Sequence, residues 1–213
     1  MSQTFGKTRW KRFALVMVPS IAATAAIGVS IANSALAASF AVSGQYFKVT
    51  ADDLNGDNFA QFGGVDGEPG YDKDPTKNHP VAISTFDTAK IEGMCQSVKT
   101  NLGVLGDWTL VLKAGDKGRK VEATNLIIDL NQLEADAVFT DINIGQDAST
   151  LPGPAADLVR KQGKLPTGDR GFAQAAKNAH LTKVKQTAWA TSAGTFTLND
   201  LRLNIVKGAQ ECY

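Results

Sequence analysis

Alternation of apolar and polar side chains is the dominant signal in this chain after its first forty residues. Ser39–Thr50, rich in Phe, Val and Tyr, and Thr109–Lys113 alternate with period two, and Lys120–Leu130, Ala137–Ile144, Leu181–Thr191 and Thr195–Val206 also read as strands. That period places successive side chains on opposite faces of a strand. Gly115-Asp116-Lys117-Gly118 reads as a turn after the second run. Several short strands at close spacing predict a mainly β chain. The expected fold is a single all-β domain, built as a sandwich, a barrel or a solenoid-like stacked sheet. A faint echo among 51–59, 88–95 and 130–139 suits strands stacked in one sheet. Two segments interrupt the pattern. Gly63–Pro80 reads as a loop from its Gly, Pro and Asp content. An irregular or helical insertion is expected near 152–180, with short helices near Ala155–Gln162 and Gly171–Ala179 around Pro166 and Gly168.

The first 37 residues follow another pattern. Lys7, Arg9, Lys11 and Arg12 precede an apolar stretch beginning at Phe13, which ends in Ala35-Leu36-Ala37. A basic start, an apolar middle and a small-residue end read as a signal peptide, and the apolar stretch is also long enough to serve as an anchor helix. In either case the basic end stays inside and the domain from residue 38 to 213 is exported, to the cell surface or the medium.

Charge narrows the function classes. The chain has 22 Lys+Arg and 21 Asp+Glu. Removing the four leader cations leaves 18 basic against 21 acidic residues, a net of −3. A nucleic-acid binder needs a clustered basic face instead. The only cysteines, Cys95 and Cys212, form an even pair in an oxidising compartment, so a disulfide closing 117 residues is expected.

Catalytic candidates are sparse. No G-x-S-x-G elbow occurs in the exported part. Ser97, Ser149 and Ser192 are available hydroxyls, and His79 and His180 are the only imidazoles. Nothing in sequence singles out a Ser–His–Asp set, and neither a metal-ligand spacing nor a cofactor loop is present. Asp52, Asp53, Asp57, Asp66, Glu68, Asp72 and Asp74 form an acidic stretch, read as turn residues with a calcium site as the alternative. Trp108 and Trp189 lie in strand-like runs and are expected in the core.

Val121–Leu151, Gln186–Phe196 and the ending Glu211-Cys212-Tyr213 resemble the DUF6230 family, secreted proteins of actinobacteria of the Streptomyces type. The AASFAVSGQ segment and the leader fit the same resemblance, which therefore spans nearly the whole chain. It implies a Gram-positive host and supplies no established activity. Some members carry a cholesterol esterase label, which makes lipid-ester hydrolysis the alternative function. The residues themselves favour a non-catalytic secreted or cell-envelope protein. Such a protein would be structural or would bind an apolar or envelope ligand such as a lipid, with self-association through strand edges as a second mode of contact.

Overall fold

The computed structural model describes residues 43–70, 73–116, 118–155 and 171–213. The leader, and with it the expected signal or anchor helix, lies outside them, as does most of the expected helix at 155–162. The described residues form eight strands: β1 (Phe47–Gly67), β2 (Asn78–Glu92), β3 (Met94–Asn101), β4 (Asp107–Ala114), β5 (Val121–Asp147), β6 (Phe172–Ser192), β7 (Thr195–Thr197) and β8 (Arg202–Lys207). All pairings are antiparallel.

Four long strands close on themselves. β1 pairs with β2 and β6, and β5 pairs with the same two, so β1–β2–β5–β6 is a ring. Of the three architectures left open by the sequence, the barrel-like closed sheet is the one adopted. Following paired residues from Phe47 through Ala188, Leu130 and Ala82 leads back to β1 at Gly63, sixteen positions further along. An offset of sixteen residues is roughly 50 Å of strand, set against about 20 Å of width for four strands. The strands therefore wind far more steeply around the barrel than the ordinary roughly 35–45° tilt. That winding lets four strands enclose a true core.

The core is built from small and large residues in register. Leu54, Phe59, Phe86, Ala89, Leu126, Ile128, Ala176, Ala179 and Leu181 are all buried in one cluster. Phe59 packs against Phe86 and Phe139, with ring centroids 5.4 and 5.3 Å apart. Gly56 makes room for the first of these contacts, because a Cβ there would stand 2.3 Å from Phe86 Cδ1.

Strands this long cannot keep one face inward by simple alternation. The inward set of β1 changes parity between Gly56 and Phe59, and that of β6 between Leu181 and Val184. Asn58 (φ 52°) and Lys183 (φ 54°) stand at these changes in the left-handed conformation. For β6 the site coincides with a shift in register against β5. Such irregularities bend the strand and increase its twist.

The structure revises several expectations. Gly171–Ala179 is not helical; from Phe172 it is the first half of β6. Its alanines favour a helix in isolation, but hydrogen bonding to β1 on one side and β5 on the other overrides that preference. Residues 120–130 and 137–144 are parts of the single strand β5, and 195–206 divides into β7 and β8. The loop expected over 63–80 shrinks, since Gly63–Gly67 finishes β1 and Asn78–Pro80 starts β2. Hydrogen bonds to neighbouring strands, invisible in local composition, hold these glycine- and proline-bearing ends.

Beyond Gly93, where β2 passes into β3, the sheet continues as a blade ordered β3–β4–β8. The Cys95–Cys212 disulfide ties the C-terminus to this blade, with Cα atoms 6.0 Å apart. The final residues form a strap over β1, β3 and β6. Cys212 N donates to Ser97 Oγ, Lys48 Nζ donates to Glu211 Oε2, and the Tyr213 hydroxyl bonds the Thr187 hydroxyl.

Two outcomes follow for stability. Gly56→Ala drives a methyl group into Phe86 and is expected to lower the unfolding free energy by about 1–3 kcal/mol, read from the midpoint of urea denaturation. Cys95→Ser is expected to cost about 2–5 kcal/mol in the same measurement, while Cys212→Ser on the Cys95→Ser background adds little because the bond is already lost.

Candidate functional site: an apolar cleft at the barrel mouth

The interior of the barrel does not end at a polar plug. Antiparallel partners share a face, so Gln96 lies with Leu112, and Val98 with Leu110. The next strand adds Leu203 opposite Leu112 and Ile205 opposite Leu110. Gln96 is also opposite Val49, whose side chain is in the core. The inner face of the barrel thus runs out onto one face of the blade and becomes progressively exposed.

Where barrel and blade meet, a cleft of about 530 Å³ opens. Phe47, Val98, Leu112, Trp189, Phe196 and Leu198 supply its larger apolar walls, and Ala190 and Ala193 keep its floor low. Gln45, Gln96, Thr191 and Ser192 bring polar atoms to it. Behind it, inside the barrel, lies a smaller cavity of about 30 Å³ bounded by Val49, Leu54, Met94, Leu126, Ile128 and Val184. Gln96, Thr191 and Phe196 line both spaces. Phe196 sits on β7, a strand of three residues that pairs with β5, and is exposed. It forms the partition between the two.

Neither Trp108 nor Trp189 is in the core. Trp189 is half-buried, lines the cleft, stacks on His79 at a centroid distance of 3.8 Å and meets Tyr46 edge-on at 6.0 Å. Trp108 is also half-buried and donates its indole N–H to Leu105 O at 3.1 Å. Their strand positions alone could not reveal this, because the sheet curls and only part of each strand is covered.

The histidines are occupied by carboxylates. His79 Nε2 is 2.8 Å from Glu68 Oε1, and His180 Nε2 bonds Asp53 Oδ2. The hydroxyl of Ser97 accepts from the Cys212 amide, and Ser149 donates its amide to the Asp147 carboxylate within a short 3₁₀ turn. Among the described residues no hydrogen bond joins the hydroxyl of Ser97, Ser149 or Ser192 to His79 or His180. The acidic stretch is likewise dispersed along a winding strand. Asp53 faces His180 and Lys120, Asp57 accepts from Thr88 and Asn178, and Asp74 caps a 3₁₀ turn through Thr76. Among the described residues no three such side chains gather as a metal site.

Asp53 is the centre of the clearest charge network. The His180 hydrogen bond, and then the hydrogen bond and charge of Lys120, hold its carboxyl below the usual 3.8, against an opposing effect of partial burial. Lys120 is in turn raised by Asp53 and Glu92. A depressed carboxyl stabilises the fold above its unfolded pKa, and this contribution fades as pH falls through the folded value. Asp53→Asn is therefore expected to lower the urea midpoint at neutral pH, with the gap from wild type narrowing once pH drops below 3.8.

Comparison with curated proteins and with solved structures returned no match. Comparison with family models matched residues 43–213 to a family of unknown function, DUF6230. The match covers the entire barrel, blade and C-terminal strap, and the chain belongs to the DUF6230 family.

Proposed function

We propose that this domain is a non-catalytic binding protein of the cell surface or the surrounding medium, which holds an acyl chain or similar elongated apolar group of an envelope lipid in the cleft. The cleft itself carries the reading. Its volume of about 530 Å³ falls within the roughly 300–1,000 Å³ of small-molecule sites. Its walls are mainly aliphatic and aromatic, with a few amide and hydroxyl groups able to meet a polar head. The interior cavity behind Phe196 offers an apolar terminus somewhere to go if that ring turns aside. The disulfide supports an oxidising location. No helix among the described residues is long and apolar enough to cross a membrane.

The test is titration with a dansyl-labelled long-chain fatty acid, following energy transfer from tryptophan. Saturable binding is expected. Leu112→Asp, which puts a charge on the cleft wall, is expected to weaken it about tenfold or more, equivalent to ~1.4 kcal/mol. Absence of saturable binding, or equal affinity in the variant, would remove the cleft from consideration. Turnover of a chromogenic ester that disappears in His180→Ala would replace this reading with lipid-ester hydrolysis.

A further inference from the structure

The blade ends in a turn whose composition is unusual for a solvent-facing tip. Between Asn101 and Asp107 the sequence is Leu-Gly-Val-Leu-Gly, without a charge or a polar side chain. Leu102, Val104 and Leu105 are 47%, 103% and 63% exposed. Nothing in the described domain covers Val104. Isolated exposed aliphatics are ordinary, but three on one tight turn form a concentrated apolar point.

The turn is built to be rigid. Leu102 N donates to Gly106 O, Leu105 N to Leu102 O and Gly106 N to Gly103 O, at 3.0, 3.3 and 2.9 Å. Gly103 N donates to the Asn101 side chain at 3.0 Å. Gly103 and Gly106 adopt positive φ, which allows the chain to reverse this tightly. These amides have internal partners, so removing the tip from water leaves few backbone donors unsatisfied. One residue past the turn stands Trp108, its indole N–H held by Leu105 O. Tryptophan at that level suits the boundary between headgroups and acyl chains. Lys99 and Asp107 form an ion pair at 3.0 Å, and Lys207 pairs across from Trp108. Charged groups thus stand behind the apolar point, where the aqueous phase would begin.

We infer that the Leu102–Leu105 tip is a shallow membrane-contact element that inserts into the outer surface of a lipid bilayer. The groups behind the tip favour a bilayer over a protein partner, since an indole at Trp108 and the charges of Lys99, Asp107 and Lys207 stand where acyl chains would give way to headgroups and water. The first described residues run beside the same end of the blade, with Thr100 Oγ1 bonded to the Gln45 side chain at 3.4 Å and Lys48 paired with Ser97. Beyond the tip, exposed Leu110, Leu203 and Ile205 continue along the blade face that reaches Leu112 in the cleft. Insertion of the tip stands whether or not the cleft takes a lipid.

The test uses the full chain carrying Trp10→Phe, Trp108→Phe and Trp189→Phe together with Val104→Trp, reconstituted with phosphatidylcholine–phosphatidylglycerol vesicles whose acyl chains are brominated, and the reference variant is made in the same background. Ile144→Trp, at an exposed site near the far end of β5, is the reference. The expected result is a blue shift and quenching of the Val104→Trp signal severalfold above the reference, reversed when Leu102 and Leu105 are also changed to Ser. Equal, weak quenching of both tryptophans would overturn the inference. So would a blue shift without lipid accompanied by dimers in sedimentation, which would make the tip a contact between copies. Position 104 is fully solvent-facing, and an unchanged far-ultraviolet spectrum will establish that the variant folds. Loss of fatty-acid binding with tip quenching intact would count against the cleft alone.

Discussion

Closure of the sheet is the constraint from which the rest of the structure follows. A β-strand edge exposes backbone donors and acceptors that must find partners. Four strands are few for a barrel, and an upright arrangement would leave no room inside for side chains. Winding them so that each circuit advances sixteen residues satisfies the edges while keeping an interior wide enough for Phe59, Phe86 and Leu126. The cost appears as local irregularity. Asn58 and Lys183 accept a left-handed backbone, and β5 shifts register repeatedly against β6.

The same winding generates the cleft. β3 and β4 extend the lines of β2 and β5 beyond the point where the ring closes, so their inner face has no opposing wall. An open mouth and its apolar lining are two aspects of one geometry. The strap from Gly208 to Tyr213 acts on the opposite, outward face, where Thr109 Oγ1 donates to Gly208 O and Lys48 reaches both Glu211 and the Tyr213 carbonyl. Latching that side leaves the mouth open.

The sequence made part of this legible. Alternation in TLVLK and the β-branched and aromatic content of NLIIDL and TAWAT located strand segments, and the Cys95–Cys212 pairing needed only parity and compartment. Local patterns could not give strand length. β5 runs through 27 residues, and Asn131–Ala137 within it is exposed and lies between the two runs that read as separate strands, although Leu133, Ala135 and Ala137 alternate with polar neighbours. FAQAAKNA looked helical because alanine is a good helix former; here its small side chains suit a crowded barrel wall. The cleft was illegible for a further reason. Phe47, Val98, Leu112, Trp189 and Phe196 come from five strands, β1, β3, β4, β6 and β7, and only the fold brings them together. The tip at 102–105 did leave a mark in sequence, an uncharged aliphatic turn where turns are usually polar.

The pairing of β1 with β6 joins the beginning of the domain to a strand that starts only at Phe172. A nascent or clipped chain ending before that point has β1 and β5 each lacking a neighbour, and two long raw edges invite other chains or a protease. Completion is all-or-none in length: a shortened product is not a smaller barrel but an unsealed ribbon. The Cys95–Cys212 bond adds a covalent tie that can form only after β6, β7 and β8 have been made.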